Sequence, residues 1–245
     1  MLPIIFHIGP VPVYAYGLML AAAVVVCAFL LSRDAREKGL AADFVFDLVF
    51  WTVIGGIAGA RVFFIILNLD FFIQYPLEVV MVQHGGLAFQ GGLVGGTAAA
   101  VLFITKKGQQ VLTVFDLMAP YLALGHAIGR IGCFLNGCCY GLPAAWGIYF
   151  PVHHEHLIPT QLFAAGELLL VFFILKWLQG VFKKPGQVFA FYLILSALQR
   201  FLNEFLRGDH TATYFGLSVF QVVSAVVLAT GLIMLAKVSA PSRGK

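Results

Sequence analysis

The sequence predicts an all-α integral membrane protein of seven transmembrane helices, on three observations. Of its 245 residues 61% are hydrophobic and only 11% are charged, the apolar runs recur through to the C-terminus, and the charged residues gather between those runs. A soluble domain is usually about a quarter charged, so a chain this poor in charge could not keep its surface wetted as a monomer in water. No polar linker divides the runs, and residues 1–245 read as a single membrane domain.

Crossing the hydrocarbon takes about 20 mostly apolar residues. Seven stretches qualify: 13–31, 45–67, 87–105, 112–134, 160–179, 187–206 and 215–236. The first is expected to be retained, since MLPIIFHIGP lacks the basic start and small-residue cleavage site of a signal peptide. The second and third carry glycines four apart, Gly55 with Gly59, Gly91 with Gly95 and Gly92 with Gly96, and the fourth carries Gly125 with Gly129. Such spacing lets helix backbones approach closely in lipid. Gly85-Gly86 and Gly91-Gly92 flank the start of the third span and suggest a broken approach to it, a backbone tolerated at membrane depth only under protein or water. The fourth and sixth runs, ALGHAIGRIGCFLNG and FYLILSALQRFLNEFLRGD, hold arginines within apolar surroundings.

Charge then orients the spans. Arg33, Arg36 and Lys38 follow the first, Lys106 and Lys107 the third, Lys176, Lys183 and Lys184 end or follow the fifth, and Lys237, Arg243 and Lys245 follow the seventh. The alternate connections hold no lysine and a single arginine, Arg207. The excess of positive charge in cytoplasmic loops puts the C-terminus in the cytoplasm and the N-terminus outside. Basic residues confined to short clusters between spans exclude nucleic acid as a partner.

The basic residues that remain are all arginines: Arg61, Arg130, Arg200 and Arg207. An arginine at mid-helix costs about 3 kcal/mol on insertion scales. Arginine in place of lysine suggests a planar acceptor, a carboxylate or a phosphate, bound through two hydrogen bonds. Arg200, Glu204 and Arg207 share one helix face. A buried Arg200–Glu204 pair is the structural alternative, but it leaves the other arginines unexplained, and surplus positive charge points to an anionic lipid headgroup. At the same end of the fourth span lie Cys133, Cys138 and Cys139, with His153, His154 and His156 beyond them. Their spacing fits no zinc-finger or ribbon pattern, so no metal is expected. On an oxidising side, Cys133 bonded to Cys138 or Cys139 is the favoured state, reduced thiols the alternative. Cys27, within the first span, reads as a small buried hydrophobe.

Several segments together resemble the prolipoprotein diacylglyceryl transferase family: Tyr16-Gly17, Gly59-Ala60-Arg61, GGLAFQGGLVGG at 85–96, DLMAP at 116–120, GRIGCFLNGCCYG at 129–141, PTQL at 159–162 and RFLNEFLRGD at 200–209. The resemblance implies a multi-pass enzyme of the bacterial inner membrane, with seven spans and the N-terminus outside. Such an enzyme moves the diacylglyceryl group of phosphatidylglycerol onto the lipobox cysteine of a prolipoprotein, forming a thioether and releasing glycerol phosphate, with no metal or organic cofactor. Arg130 and Arg200 would then hold the departing phosphate. Glu204 would orient Arg200 or Arg207, and Tyr16, Arg61, Asn136, Gly141 and Arg207 would contact the lipid.

The departures from the family cluster in the same region. Gln90 stands where the family carries a histidine regarded as essential, and an amide takes no proton at neutral pH. Cys133 replaces an asparagine, Cys138 an acidic residue and Ser196 a tyrosine. If the acceptor is a thiol, the candidate bases are His84, Glu204 or a cysteine thiolate, whose pKa a neighbouring arginine lowers. The paired replacement of Cys133 and Cys138 suggests a disulfide between those two. Two other functions compete with the transferase. One is a membrane thiol–disulfide oxidoreductase using Cys133, Cys138 and Cys139, which leaves the arginines unused; the other is a non-catalytic lipid binder or transporter.

Overall fold

The computed structural model describes residues 1–9, 11–81, 85–209, 213–214 and 216–240. In chain order the elements are β1 (Ile4–Ile8), β2 (Val11–Tyr14), α1 (Ala15–Glu37), α2 (Ala42–Leu67), α3 (Leu69–Gln74), a 3-10 turn at Pro76–Val79, α4 (Phe89–Lys106), α5 (Val111–Asn136), β3 (Pro143–Phe150), β4 (Glu155–Leu157), α6 (Thr160–Val181), α7 (Gln187–Glu204), β5 (Thr213–Tyr214), β6 (Leu217–Ser218) and α8 (Val219–Ser239). Each apolar run read from the sequence overlies one long helix. By length and composition α1, α2, α5, α6 and α8 can cross a membrane. The two others, α4 and α7, are 18 residues each; α4 is diluted by glycines and Gln90, and α7 by Gln187, Gln199, Arg200, Asn203 and Glu204. The strands were not anticipated. Among the described residues there are three two-stranded antiparallel hairpins: β3–β4 stands within the expected connection 135–159, whereas β2 and β6 run into the first residues of the stretches 13–31 and 215–236.

The chain divides into two compact units, residues 32–114 and residues 1–31 with 115–245. In the first, α2 and α4 meet along the glycines spaced four apart. A Cβ placed on Gly59 would lie 2.4 Å from the Gly91 carbonyl oxygen, and one on Gly95 2.4 Å from that of Gly55. Only hydrogen atoms fit between these backbones, which is the small-residue packing expected in lipid. The approach to α4 is irregular: Gly85 and Gly86 have φ of 86° and 77°, and the Ala88 amide donates across to the Ala60 carbonyl at 3.1 Å. The Gly125–Gly129 pair on α5 makes no equivalent notch, because a Cβ on Gly129 would meet nothing within 4 Å.

The second unit packs α6, α7 and the first half of α5 around Ala119, Ala123, Val171, Leu175, Leu178 and Val188. Its helix ends are tied by side chains. Asp116, in DLMAP, accepts from the amides of Gly186 (2.6 Å) and Phe189 (2.7 Å) and so caps the start of α7 from a neighbouring helix. Ser218 opens α8 in a reciprocal capping box with Gln221, and its hydroxyl also donates to Glu204 Oε1 at 2.7 Å.

Candidate functional site

Arg130, Arg200 and Arg207 come together. Arg130 stands in the last two turns of α5, Arg200 in the last turns of α7, and Arg207 just past its end. With Cys139, Thr160, Ala164, Gln199 and Asn203 they line one cavity of about 10 Å³, room for one water or one phosphate oxygen. The helical spacing expected of Arg200, Glu204 and Arg207 holds in part: α7 ends at Glu204, and Arg207 reaches back to it from the following turn. Glu204, 1% exposed, pairs with Arg200 Nη2 at 2.8 Å and lies 3.9 Å from Arg207 Nε. Arg207 is gripped bidentately by Asp209, Nε to Oδ1 at 2.8 Å and Nη2 to Oδ2 at 2.7 Å. The Arg200 guanidinium also stacks over Phe220, 4.7 Å from its ring centre.

Arg130 has none of this. Its buried Nε lacks a hydrogen-bond partner among the described residues, and no carboxylate pairs with it there. Within this cavity the surplus of positive charge anticipated from the sequence therefore rests on one arginine, since Glu204 and Asp209 neutralise the other two. A buried donor left unmatched costs about 1–3 kcal/mol, more when charged, so the geometry suits an anion supplied from outside the chain.

Two side chains that line the cavity, Gln199 and Asn203, and a third that bonds both, Glu167, were missed in the sequence. Glu167, a lone acid in apolar α6, accepts from the Gln199 amide at 3.0 Å and, in a short contact, from the Asn203 amide. An ionisable residue inside a membrane span is a site hypothesis by default, and Glu167 carried that signal. Gln199 and Asn203, 7% and 4% exposed, gave none, because amides on an amphipathic helix usually face water.

Next to the arginines lies the cysteine loop. All three thiols are free, and the sulfurs of Cys133, Cys138 and Cys139 lie within 4.8 Å of one another. The anticipated Cys133–Cys138 disulfide is not formed in this structure; the Cys138 thiol donates to the Cys133 carbonyl at 3.7 Å and bonds the Asn136 side chain. The loop is held from PTQL: Thr160 Oγ1 donates to the Cys139 carbonyl (2.8 Å) and Gln161 Nε2 to that of Cys138 (2.7 Å). These bonds keep Cys139 at φ 63°, a left-handed conformation that a residue with a Cβ adopts at a cost of about 1–2 kcal/mol. Hydrogen bonds from Cys133 and Cys138, then the charges of Arg207 and Arg130, hold the Cys139 thiol well below the ordinary range.

The remaining sequence candidates are placed as follows. Tyr16 packs beside Gly132, the residue before Cys133, where an added Cβ would sit 3.4 Å from the tyrosine Cδ2. Gly141 is a backbone crossing point: it pairs with Arg207, and a Cβ there would lie 2.7 Å from Ile158 Cβ and 2.8 Å from the Leu206 carbonyl. It sets the position of Arg207 through the backbone. Arg61 and Gln90 belong to residues 32–114. Arg61 is 7% exposed, and its guanidinium donates to the carbonyls of Val79, Gly85, Gly86, Met81 and Glu78. Those five acceptors match its five N–H donors. The side chain clamps the approach to α4, beside an aromatic-lined cavity of about 480 Å³. Gln90 stands exposed in the first turn of α4. His84 lies outside the described residues.

Residues 3–237 match the family model described as prolipoprotein diacylglyceryl transferase. The chain is similar to the phosphatidylglycerol–prolipoprotein diacylglyceryl transferase of Clostridium tetani, 34% identical over 240 residues covering 95% of this chain and 96% of that one. It is likewise similar to the enzymes of the same name from Staphylococcus carnosus (31%, covering 95% and 89%) and Synechococcus elongatus (34%, covering 95% and 86%).

Proposed function

The chain belongs to the prolipoprotein diacylglyceryl transferase family, and from that premise we propose that it transfers the diacylglyceryl group of phosphatidylglycerol to a prolipoprotein cysteine, with Arg130, Arg200 and Arg207 receiving the phosphate that leaves. The observation that carries the site is Arg130, whose buried Nε has no hydrogen-bond partner among the described residues and which lines one cavity with the other two guanidinium groups.

The chemistry follows from how charge develops. The acceptor sulfur attacks the glyceryl carbon that bears the phosphate; the S–C bond forms, the C–O bond breaks, and its electron pair leaves with the phosphate oxygen. A phosphodiester carries one negative charge, whereas the departing glycerol phosphate carries about 1.5–2. The charge that appears is new to the transition state, so fixed guanidinium donors stabilise it more than they stabilise the bound lipid. Glu204 positions Arg200 from a buried site, and Asp209 and Gly141 do the same for Arg207. Tyr16 and Asn136 border the headgroup, and Gln90 acts as a hydrogen-bonding amide that takes no proton at neutral pH. Arg61 contributes through the approach to α4 that it clamps.

The same reading makes residues 1–245 one membrane domain of seven spans in the bacterial inner membrane, with the N-terminus outside and the C-terminus in the cytoplasm. The match across residues 3–237 and the distribution of lysine and arginine support it. The test is to incubate purified protein with labelled phosphatidylglycerol and a lipobox peptide. Lipidated peptide and free glycerol phosphate in equal amounts are expected; lipid bound but never cleaved would overturn the transferase in favour of a lipid binder.

A further inference from the structure

Three thiols converge beside the arginine cavity, and the phosphate chemistry above does not use them. We propose that Cys133, Cys138 and Cys139 bind one zinc ion, whose open fourth position takes the acceptor cysteine as its thiolate and presents it to the lipid. The second half of this proposal rests on the transfer reaction; the first does not.

The geometry suits the ion. Zinc binds thiolate sulfur at about 2.3 Å, which sets tetrahedral ligand sulfurs roughly 3.8 Å apart. The three sulfurs already lie within 4.8 Å of one another, so closing on an ion takes only small side-chain rotations. The site is also built: Thr160 and Gln161, 3% and 1% exposed, fix the carbonyls of Cys139 and Cys138. Cys139 is held left-handed against its preference. Three protein ligands with a fourth place free is the arrangement of a catalytic rather than a structural zinc. Cys139 lines the same cavity as Arg130, Arg200 and Arg207, so a thiol on the ion would stand next to the departing phosphate. Zinc with three thiolates carries a net negative charge, and Arg130, which no carboxylate pairs with among the described residues, lines the same cavity as Cys139.

The step balances without an oxidant. Coordination displaces the acceptor thiol's proton to water. The zinc-bound sulfur then attacks the glyceryl carbon as the C–O bond breaks, the phosphate leaves with the electron pair, and the neutral thioether dissociates from the ion. No protein base is needed at the acceptor, whereas the sequence had suggested a cofactor-free site.

The experiment measures zinc in protein purified under reducing conditions and supplied with zinc chloride alone. It is repeated for Cys138→Ser and for the triple Cys133→Ser, Cys138→Ser, Cys139→Ser variant, with thermal unfolding as the check on folding. One zinc per chain in the wild type, lost in both folded variants, is expected, with an intense thiolate-to-metal absorption when cobalt is substituted. Transfer to a lipobox peptide should be lost on chelation and recover with zinc, while phosphatidylglycerol still binds. Wild-type protein that takes up no zinc overturns the site and leaves the arginine reading standing. Zinc bound one to one, but removable without loss of transfer, overturns the activating role. Zinc-loaded protein that binds zinc but transfers nothing overturns the activating step together with the transferase reading, while the ligand set is confirmed by the serine variants.

Discussion

Arg130 and Arg200 divide the work of the site in different ways, and their substitutions should separate. Lysine keeps the charge but loses the planar fork. Arg130→Lys and Arg200→Lys should each lower transfer about 100- to 1,000-fold, the usual effect of removing one aligned donor to a developing anion, with the protein still in the membrane fraction. Wild-type rates in both variants would end the phosphate-clamp model. Glu204 is a different case, because it touches Arg200 and Ser218 and its role is to position them. Glu204→Gln leaves Arg200 with a neutral partner and should cost about 3–5 kcal/mol of stability, as breaking a buried pair from one side does. Thermal unfolding in detergent reads that loss directly. The arginines were legible as types and positions, since a charge in an apolar run announces itself. Glu204 was legible as a partner for Arg200 or Arg207, but that Arg207 takes Asp209 and that Arg130 has no carboxylate among the described residues was not, because only geometry assigns them.

Among the elements, α2 and α4 depend on their glycines most. At Gly59 an added methyl would stand 2.4 Å from a backbone oxygen that cannot swing away, so Gly59→Ala should destabilise by about 1–3 kcal/mol, as overpacking does. At Gly129 the space is open, and Gly129→Ala should be neutral or stabilising by up to about 1 kcal/mol through helix propensity. Unfolding curves that rank the two the other way would contradict the packing described. At the start of α8, Ser218→Ala removes both the cap and the bond to Glu204, and should cost about 1–2 kcal/mol. Four-residue glycine spacing was readable in both places, yet only one became a notch. Spacing marks a smooth helix face without naming what packs on it.

For the whole molecule, the expected topology makes a plain prediction. Alkaline phosphatase fused after Lys245 should be inactive, and the same enzyme inserted within 68–86 should be active, because of these two positions only the second would lie outside. Activity at the C-terminus would reverse every orientation argued from charge. Both fusions leave residues 115–240 intact, so insertion can be checked in the same cells.

The sequence by itself determined the solvent of this protein, the positions of its long helices and the residue types of its proposed phosphate site. Those follow from composition and from runs and charges along one dimension, which a membrane enforces strictly because an unpaired polar group costs so much there. Tertiary structure decided the rest. It turned Arg61 from an expected lipid contact into a clamp on five carbonyls, made Gly141 a backbone crossing that sets Arg207, and recruited Glu167, Gln199 and Asn203. It also gathered three cysteines as thiols. All but the cysteine cluster are a matter of distance between segments separated along the chain, and hydrogen bonds and thiols act only over a few ångströms, a scale that spacing along the chain does not encode.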